Sequence, residues 1–156
     1  MRRVAVLGAT GSIGRSTLDV IQRHPDRYQV KLLSANRSVD DMEALCRTHQ
    51  PTHAVMGDPD AAAALADRLA DLSAVTVESG AAVLDDLVAE STVDSVVAGI
   101  VGFAGLRPTL SAARAGKTIL LANKEALVSA GGLFMETVRQ GGAILLPVDS
   151  EHNAMH

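Results

Sequence analysis

The sequence predicts an α/β fold in which a doubly wound, mostly parallel sheet carries helices on both faces. Short runs of Val, Ile, Leu and Ala alternate with amphipathic segments along the whole chain. These runs do not alternate with polar residues, which indicates strands buried on both faces. A glycine-rich turn joins the first run to the first amphipathic segment. The 156 residues include no linker, low-complexity tract or internal repeat, so one domain is expected to fill the chain.

The predicted strands and helices follow one another from the start of the chain to its end. Strands are expected at residues 4–7, 30–34, 54–56, 75–77, 95–97, 118–121 and 143–146. Helices are expected at residues 13–22, 39–48, 59–70, 81–88, 108–116 and 125–139. Ser38 stands at the N-cap of the second helix, and Pro59 and Pro108 lie in the first turns of the third and fifth. Gly131 and Gly132 are expected to break or bend the last helix.

Composition narrows the class of protein and its location. The chain has 14 Lys and Arg against 18 Asp and Glu, a net charge of −4, which argues against nucleic acid as a partner. The longest apolar run, residues 96–106, is too short and too rich in glycine to span a membrane. Gly8 and Gly11 interrupt the N-terminal apolar run too early for a signal peptide. Cys46 is the only cysteine, so a reduced compartment, the cytoplasm, is expected.

The first predicted strand runs into GATGSIG, residues 8–14, and a helix follows. Glycines in such a turn allow a tight bend, close approach of the backbone to a pyrophosphate and close helix–strand packing. The helix start then offers free N–H groups and a positive dipole end to the phosphates. The pattern indicates a Rossmann-like dinucleotide site; the alternative is a turn with a structural role alone. The spacing G-x-x-G-x-x-G identifies a class of cofactor rather than a reaction.

The second strand leads into Asn36, Arg37 and Ser38, where NAD-specific sites usually carry Asp or Glu for the ribose hydroxyls. A carboxylate would repel a 2′-phosphate, whereas the Arg37 guanidinium can bind one through charge-assisted hydrogen bonds. The loop therefore favours NADP(H) over NAD(H). The alternative is that Arg37 is a solvated loop residue and Ser38 an ordinary helix cap.

Asn123, Lys124 and Glu125 follow the sixth predicted strand, and the carboxyl ends of parallel strands are where ligands bind in such sheets. A cation at the start of a helix is mildly unfavourable, so Lys124 indicates an anionic or polar ligand. Asn123 is equally well explained as an N-cap, and Glu125 as a partner for the helix dipole.

Asp149, Ser150 and Glu151 follow the last strand. In an extended chain the two acids project to the same side, where carboxylate oxygens suit Mg²⁺ or Mn²⁺. The alternative is that Ser150 caps a following helix and the acids lie at its positive end.

Three segments together resemble the 1-deoxy-D-xylulose 5-phosphate reductoisomerase family. They are GATGSIGRSTLDVI near the start, AGIVGFAGLRPTLSAARAGKTILLANKEALV in the middle and LLPVDSEHNA near the end. The resemblance implies a homodimeric enzyme that uses NADPH and a divalent metal, Mg²⁺, Mn²⁺ or Co²⁺. Its substrate is a phosphosugar, 1-deoxy-D-xylulose 5-phosphate, which it rearranges and reduces to 2-C-methyl-D-erythritol 4-phosphate for isoprenoid synthesis.

The resemblance also assigns roles to residues of this chain. The implied NADPH contacts are Thr10, Gly11, Ser12, Ile13, Asn36, Arg37, Ser38, Asn123 and Glu125. The implied substrate contacts are Lys124, Ser150 and Glu151, the metal ligands are Asp149 and Glu151, and the catalytic residues are Lys124 and Glu151. Residues 36–38 depart from the Gly-Lys-Asn form common in the family, but Arg37 keeps its positive charge.

Chains of this family continue well beyond 156 residues, into a catalytic domain and a C-terminal helical domain. We therefore expect residues 1–148 to form the NADPH-binding domain and residues 149–156 to begin the catalytic one, with NADPH binding but no turnover by this chain alone. The alternatives are another NADP-dependent oxidoreductase and a non-catalytic nucleotide-binding module. A short-chain reductase would need Tyr-x-x-x-Lys, but Tyr28, the only tyrosine, is followed by Gln29-Val30-Lys31-Leu32.

Overall fold

A computed structural model describes residues 1–122 and 124–148. Seven strands and six helices alternate in the described chain, as the sequence predicts. The strands are β1 (Arg2–Leu7), β2 (Tyr28–Ala35), β3 (His53–Met56), β4 (Thr76–Ser79), β5 (Ser95–Ala98), β6 (Thr118–Leu121) and β7 (Ile144–Pro147). The helices are α1 (Ser12–Arg23), α2 (Val39–His49), α3 (Pro59–Arg68), α4 (Ala81–Ala89), α5 (Leu106–Arg114) and α6 (Lys124–Gly141).

The seven strands form one parallel sheet in the order β4-β3-β2-β1-β5-β6-β7. The order reverses at β1, which lies between β2 and β5, so the loops after β1 and β5 leave the sheet in opposite directions. This topological switch point is where doubly wound sheets have the crevice that receives a ligand. The predicted doubly wound, Rossmann-like fold is confirmed.

Successive side chains of each buried strand pack on opposite faces of the sheet. In β1, Val4 and Val6 join a core with α1, α2 and α3, whereas Ala5 and Leu7 join a second core with α4, α5 and α6. Phe134 of α6 is fully buried in the second core. Burying a side chain of that size stabilises a fold by about 1.5–3 kcal/mol. Because an apolar core covers each face of the sheet, the strands appear in the sequence as runs of apolar residues.

Two details differ from the prediction or refine it. Ser38 stands at the N-cap of α2, but its side chain makes no capping hydrogen bond. A 3₁₀ turn at Phe103–Gly105 precedes α5 inside the apolar run that follows β5.

The predicted bend in the last helix is confirmed, because the backbone of Ala130 leaves helical geometry there. No helix of the described residues is long and apolar enough to cross a membrane.

Candidate functional site at the carboxyl edge of the sheet

The glycine loop after β1 is closed by two contacts that exclude any side chain. Gly8 has a positive φ of 73°, and a Cβ there would lie 2.7 Å from the carbonyl oxygen of Gly99. A Cβ on Gly14 would lie 2.4 Å from the Gly8 oxygen. A Cβ on Gly11 would meet the Gly8 oxygen at an ordinary 3.5 Å. Gly8 and Gly14 are therefore required by packing, whereas packing does not give the reason for glycine at position 11.

That reason is consistent with a phosphate at the start of α1. Gly11 is the N-cap of α1 and has no side chain to accept from the first amides of the helix, and the first turn contains no acidic residue. Among the other helices, α2 has Asp40 and Asp41 in its first turn and α3 is capped by Asp58, whereas α4 and α5 begin, like α1, without a capping side chain or an acid. Unsatisfied N–H groups and a positive dipole end make the start of α1 suited to an anion.

Two side chains from outside the loop hold it in place. Ser34 of β2 is buried; its carbonyl accepts from Ala9 N at 2.8 Å and its hydroxyl from Gly8 N at 3.3 Å. Arg15 donates from Nε to the carbonyl oxygen of Thr10 at 2.9 Å and pairs with Asp41 at 2.9 Å. Neither Ser34 nor Arg15 is among the site residues predicted from the sequence. The signal for Ser34 was a hydroxyl that follows Leu32 and Leu33 near the end of β2.

The predicted selectivity loop lies beside the glycine loop, because β1 and β2 are neighbours and both end at this edge. Asn36, Arg37 and Ser38 are all exposed, and the Arg37 side chain is 78% accessible. The Nε atom of Arg37 lies 3.2 Å from Oδ2 of Asp58, its ion-pair partner. The structure therefore brings together seven of the predicted cofactor residues on two adjacent loops, with the one cation among them pointing outward at the surface.

The remaining predicted site residues fall outside what the structure describes. Asn123 and Asp149–Glu151 lie outside the described residues, and so do the side chains of Lys124 and Glu125, although α6 begins at Lys124. The described parts of β6 and β7 end at Leu121 and Pro147, which are paired in register, on the same edge as the glycine loop. Within residues 1–122 and 124–148, no group of three His, Cys, Asp or Glu side chains could hold a metal.

The opposite, amino edge of the sheet has a cavity of about 570 Å³ lined in part by Arg2, Asp94 and Lys117. The charges of Asp94 and Lys117 are used by the fold. Asp94 accepts from the backbone N and the guanidinium of Arg3, which lowers the pKa of its carboxyl to about 2. Lys117 is buried and donates to the carbonyl oxygens of Glu90 and Val93 at 2.5 and 2.6 Å. The candidate site is therefore the one at the carboxyl edge.

Comparison with known proteins identifies the same family that the sequence motifs resemble. Residues 4–131 match the family model for 1-deoxy-D-xylulose 5-phosphate reductoisomerase. The reductoisomerase of Ralstonia nicotianae is 57% identical over 156 residues, which are 99% of this chain and 40% of that protein. This chain thus spans about two fifths of the length of the curated relatives that it matches.

Solved structures of the same family have the fold described above. The reductoisomerase of Zymomonas mobilis in complex with NADPH superimposes with a TM-score of 0.91 at 51% identity, over 97% of this chain and 40% of that one. A reductoisomerase in complex with NADPH, fosmidomycin and magnesium gives a TM-score of 0.92 at 46% identity, over 98% of this chain and 38% of that one. The chain belongs to the 1-deoxy-D-xylulose 5-phosphate reductoisomerase family.

Proposed function

We propose that this chain is the NADPH-binding part of a metal-dependent 1-deoxy-D-xylulose 5-phosphate reductoisomerase. One observation carries the proposal: two loops lie side by side after the neighbouring strands β1 and β2, at the switch point of the sheet. The first leads into α1, which begins without a capping side chain or an acid, and the second carries the exposed Arg37. A relative 51% identical to this chain has been solved with NADPH. Residues 1–148 form the cofactor domain in this proposal, and residues 149–156 begin the catalytic part.

The residues that would hold NADPH divide according to the chemistry of the cofactor. The backbone amides at the start of α1, with Thr10, Gly11, Ser12 and Ile13, face the pyrophosphate, because the absence of a capping side chain leaves those donors for a ligand. Arg37, flanked by Asn36 and Ser38, supplies the positive charge for the 2′-phosphate. The glycine contacts at positions 8 and 14 support this assignment, since the close helix–strand packing that they allow is a feature of dinucleotide-binding turns.

The proposed reaction has two stages. One carbon–carbon bond of the phosphosugar breaks and another forms, which gives an isomeric aldehyde with no net change of oxidation state. The aldehyde then takes a hydride from NADPH and a proton, giving 2-C-methyl-D-erythritol 4-phosphate and NADP⁺. Asn123 and Glu125 complete the cofactor site in this proposal, and the fold presents the nicotinamide to the aldehyde.

Lys124, Ser150 and Glu151 are the proposed substrate contacts, with Lys124 and Glu151 as catalytic residues. Lys124 places positive charge beside oxygens on which negative charge develops. Asp149 and Glu151 are the proposed ligands of a divalent metal, because carboxylate oxygens are the donors that Mg²⁺ and Mn²⁺ prefer. When bound, such an ion polarises the oxygens of the substrate.

The ion in this proposal is Mg²⁺, Mn²⁺ or Co²⁺. A relative that is 46% identical to this chain has been solved in complex with magnesium.

The complete enzyme is proposed to be a cytoplasmic homodimer. Burial raises the pKa of the Cys46 thiol to about 11, so this side chain behaves as a buried apolar group, as suits a protein of a reducing compartment.

Titration of the chain with NADPH and with NADH tests the cofactor assignment. The wild type should bind NADPH more tightly, and Arg37→Asp should weaken NADPH binding roughly 10- to 100-fold while NADH binding changes little, since charge-assisted hydrogen bonds contribute about 1.5–3 kcal/mol. Arg139→Asp is the matched control, because Arg139 is an equally exposed arginine, 75% accessible, with an acidic partner on α6. Equal losses for both cofactors with Arg37→Asp would contradict the assignment.

The reaction is tested by a chimera in which residues 1–156 replace the matching part of the Zymomonas mobilis enzyme. The chimera should oxidise NADPH when 1-deoxy-D-xylulose 5-phosphate and Mg²⁺ are both present, and Lys124→Ala should abolish this activity. NADPH oxidation that is independent of the phosphosugar would contradict the proposed reaction.

A further inference from the structure

The turn after β3 is bound directly to the selectivity loop after β2. Gly57 N donates to the carbonyl oxygen of Ala35 at 2.9 Å, and Asp58 N donates to the carbonyl oxygen of Asn36 at 3.1 Å. These bonds continue the pairing of β2 with β3, in which Ala35 lies opposite Met56. The two turns therefore form one backbone unit beyond the end of the sheet.

Asp58 uses its two carboxylate oxygens for different purposes. Oδ1 accepts from Asp60 N at 2.8 Å and caps α3, whereas Oδ2 lies 3.2 Å from Nε of Arg37. The cap fixes the carboxylate, whose side chain is only 25% accessible. The contact is made to the inner nitrogen of the guanidinium, and the terminal nitrogens carry four further N–H donors that can bind a second anion. Asp58 thus holds Arg37 by one edge at the surface.

Gly57 provides the space for the side chain of Asn36. A Cβ on Gly57 would lie 2.6 Å from Oδ1 of Asn36, closer than real Cβ atoms approach any neighbour. A larger residue at position 57 would therefore displace the Asn36 amide, which is the flexible end of an exposed side chain, rather than the backbone.

We propose that Gly57 and Asp58 are positioning residues for the 2′-phosphate end of NADPH: Asp58 orients Arg37, and Gly57 keeps the Asn36 amide in place. The inference rests on the proposed NADPH-binding function. An arginine free in solvent loses rotamer entropy when it binds a phosphate, and an arginine already held by a fixed carboxylate loses less. The repulsion between Asp58 and the phosphate is reduced because the carboxylate is already shared between a guanidinium and a backbone amide.

Asp58→Asn tests the role of the carboxylate, because asparagine caps a helix as well as aspartate does but carries no charge. In titrations of the chain at fixed ionic strength, the ratio of NADPH to NADH affinity should fall by up to about fivefold, the upper end of the range for an exposed ion pair. The melting temperature should stay unchanged. Asp60→Asn, two residues further along the same helix end, is the control and should leave the ratio unaltered.

A double-mutant cycle separates positioning from a general charge effect. In an Arg37→Ala background, Asp58→Asn should not lower the ratio any further. A wild-type ratio in the Asp58→Asn single variant overturns the proposal. So does a raised ratio, which would mean that Asp58 competes with the phosphate for Arg37.

Gly57→Ala tests the other half of the unit. It should weaken NADPH binding several-fold, and Asn36→Gly alone should weaken it by a similar factor, because both changes remove the amide from its place. In the Asn36→Gly background, Gly57→Ala should cause no further loss, since no amide is left to displace. A further loss in that background overturns the role of Gly57. A wild-type chain without any preference for NADPH would overturn the proposed function and this inference together, whereas a wild-type preference that Asp58→Asn retains overturns this inference alone.

Discussion

The two edges of the sheet use charge in opposite ways. At the amino edge, Asp94 accepts hydrogen bonds from the Arg3 backbone and guanidinium, and the buried Lys117 ammonium is shared by two carbonyl groups. At the carboxyl edge, α1 begins without a capping side chain, and Arg37 is exposed with a single carboxylate beside it. Polar groups that satisfy one another belong to the fold, and polar groups that the fold leaves open are the ones available to a ligand.

The same comparison shows why a cavity alone is a poor guide to the site. The amino-edge cavity is lined by charged residues, as an anion site would be. Burial lowers the pKa of Lys117, and the hydrogen bonds from Arg3 lower the pKa of Asp94. Both shifts come from interactions within the fold, so they indicate stability rather than binding.

The largest effect on stability is expected from Lys117→Met. The change removes the donor from two carbonyl groups, of which that of Val93 is buried, and should lower the free energy of unfolding by roughly 2–4 kcal/mol. NADPH affinity of the folded variant should not change. Urea unfolding and an NADPH titration measure the two quantities.

Lys31→Met is the matched control for this variant, because Lys31 is a half-buried lysine of β2. It should change stability by less than about 0.5 kcal/mol. A Lys117→Met chain with wild-type stability and reduced NADPH affinity would reverse the assignment of the two edges.

Gly14→Ala should affect both stability and binding. The new Cβ would meet the Gly8 oxygen at 2.4 Å, so the loop and α1 must separate, at a cost of about 1–3 kcal/mol. NADPH affinity should fall at least several-fold because the amides of α1 move with the helix. Gly132→Ala, an exposed helical glycine whose Cβ would meet nothing within 4 Å, should be neutral or slightly stabilising. Wild-type affinity in Gly14→Ala would exclude the glycine loop from the cofactor site.

The smallest effect is a pH dependence at the amino edge. The folded-state pKa of Asp94, about 2, lies below the ordinary value of 3.8, so its carboxylate stabilises the fold above pH 3.8. That contribution is lost as the pH falls from about 4 towards 2, because the carboxyl becomes protonated. The stability advantage of the wild type over Asp94→Asn should therefore be constant near pH 7 and shrink below pH 4. Urea unfolding at pH 7, 4 and 3 checks this, and an advantage that grows in acid would contradict it.

Most of the fold could be predicted from the sequence because strands and helices depend on residues that are close together along the chain. Apolar runs place the strands, least well at β4, where Thr76–Ser79 is at most half-buried and was predicted at 75–77. Pro59 and Pro108 place helix starts to within about two residues. The 3₁₀ turn at Phe103–Gly105 was missed because it lies inside an apolar, glycine-rich run with no periodicity of its own. The missing side-chain cap at Ser38 depends on the backbone angles of one residue, which composition does not fix.

The site was predictable only in part. The glycine loop and Arg37 are recognisable from spacing and charge along the chain. Ser34, Asp58 and Gly99 act on them from other strands, so their roles depend on which strands are neighbours. The proposed metal ligands Asp149 and Glu151 lie outside the described residues and stay a prediction from sequence.

Chemical-shift mapping with NADPH distinguishes the two edges of the sheet in one experiment. In ¹H–¹⁵N spectra of the chain, the largest shifts should fall on the amides of residues 8–14 and 36–38, and the amides of Asp94 and Lys117 should stay unchanged. Saturable shifts centred on Asp94 and Lys117, with none in the glycine loop, would contradict it.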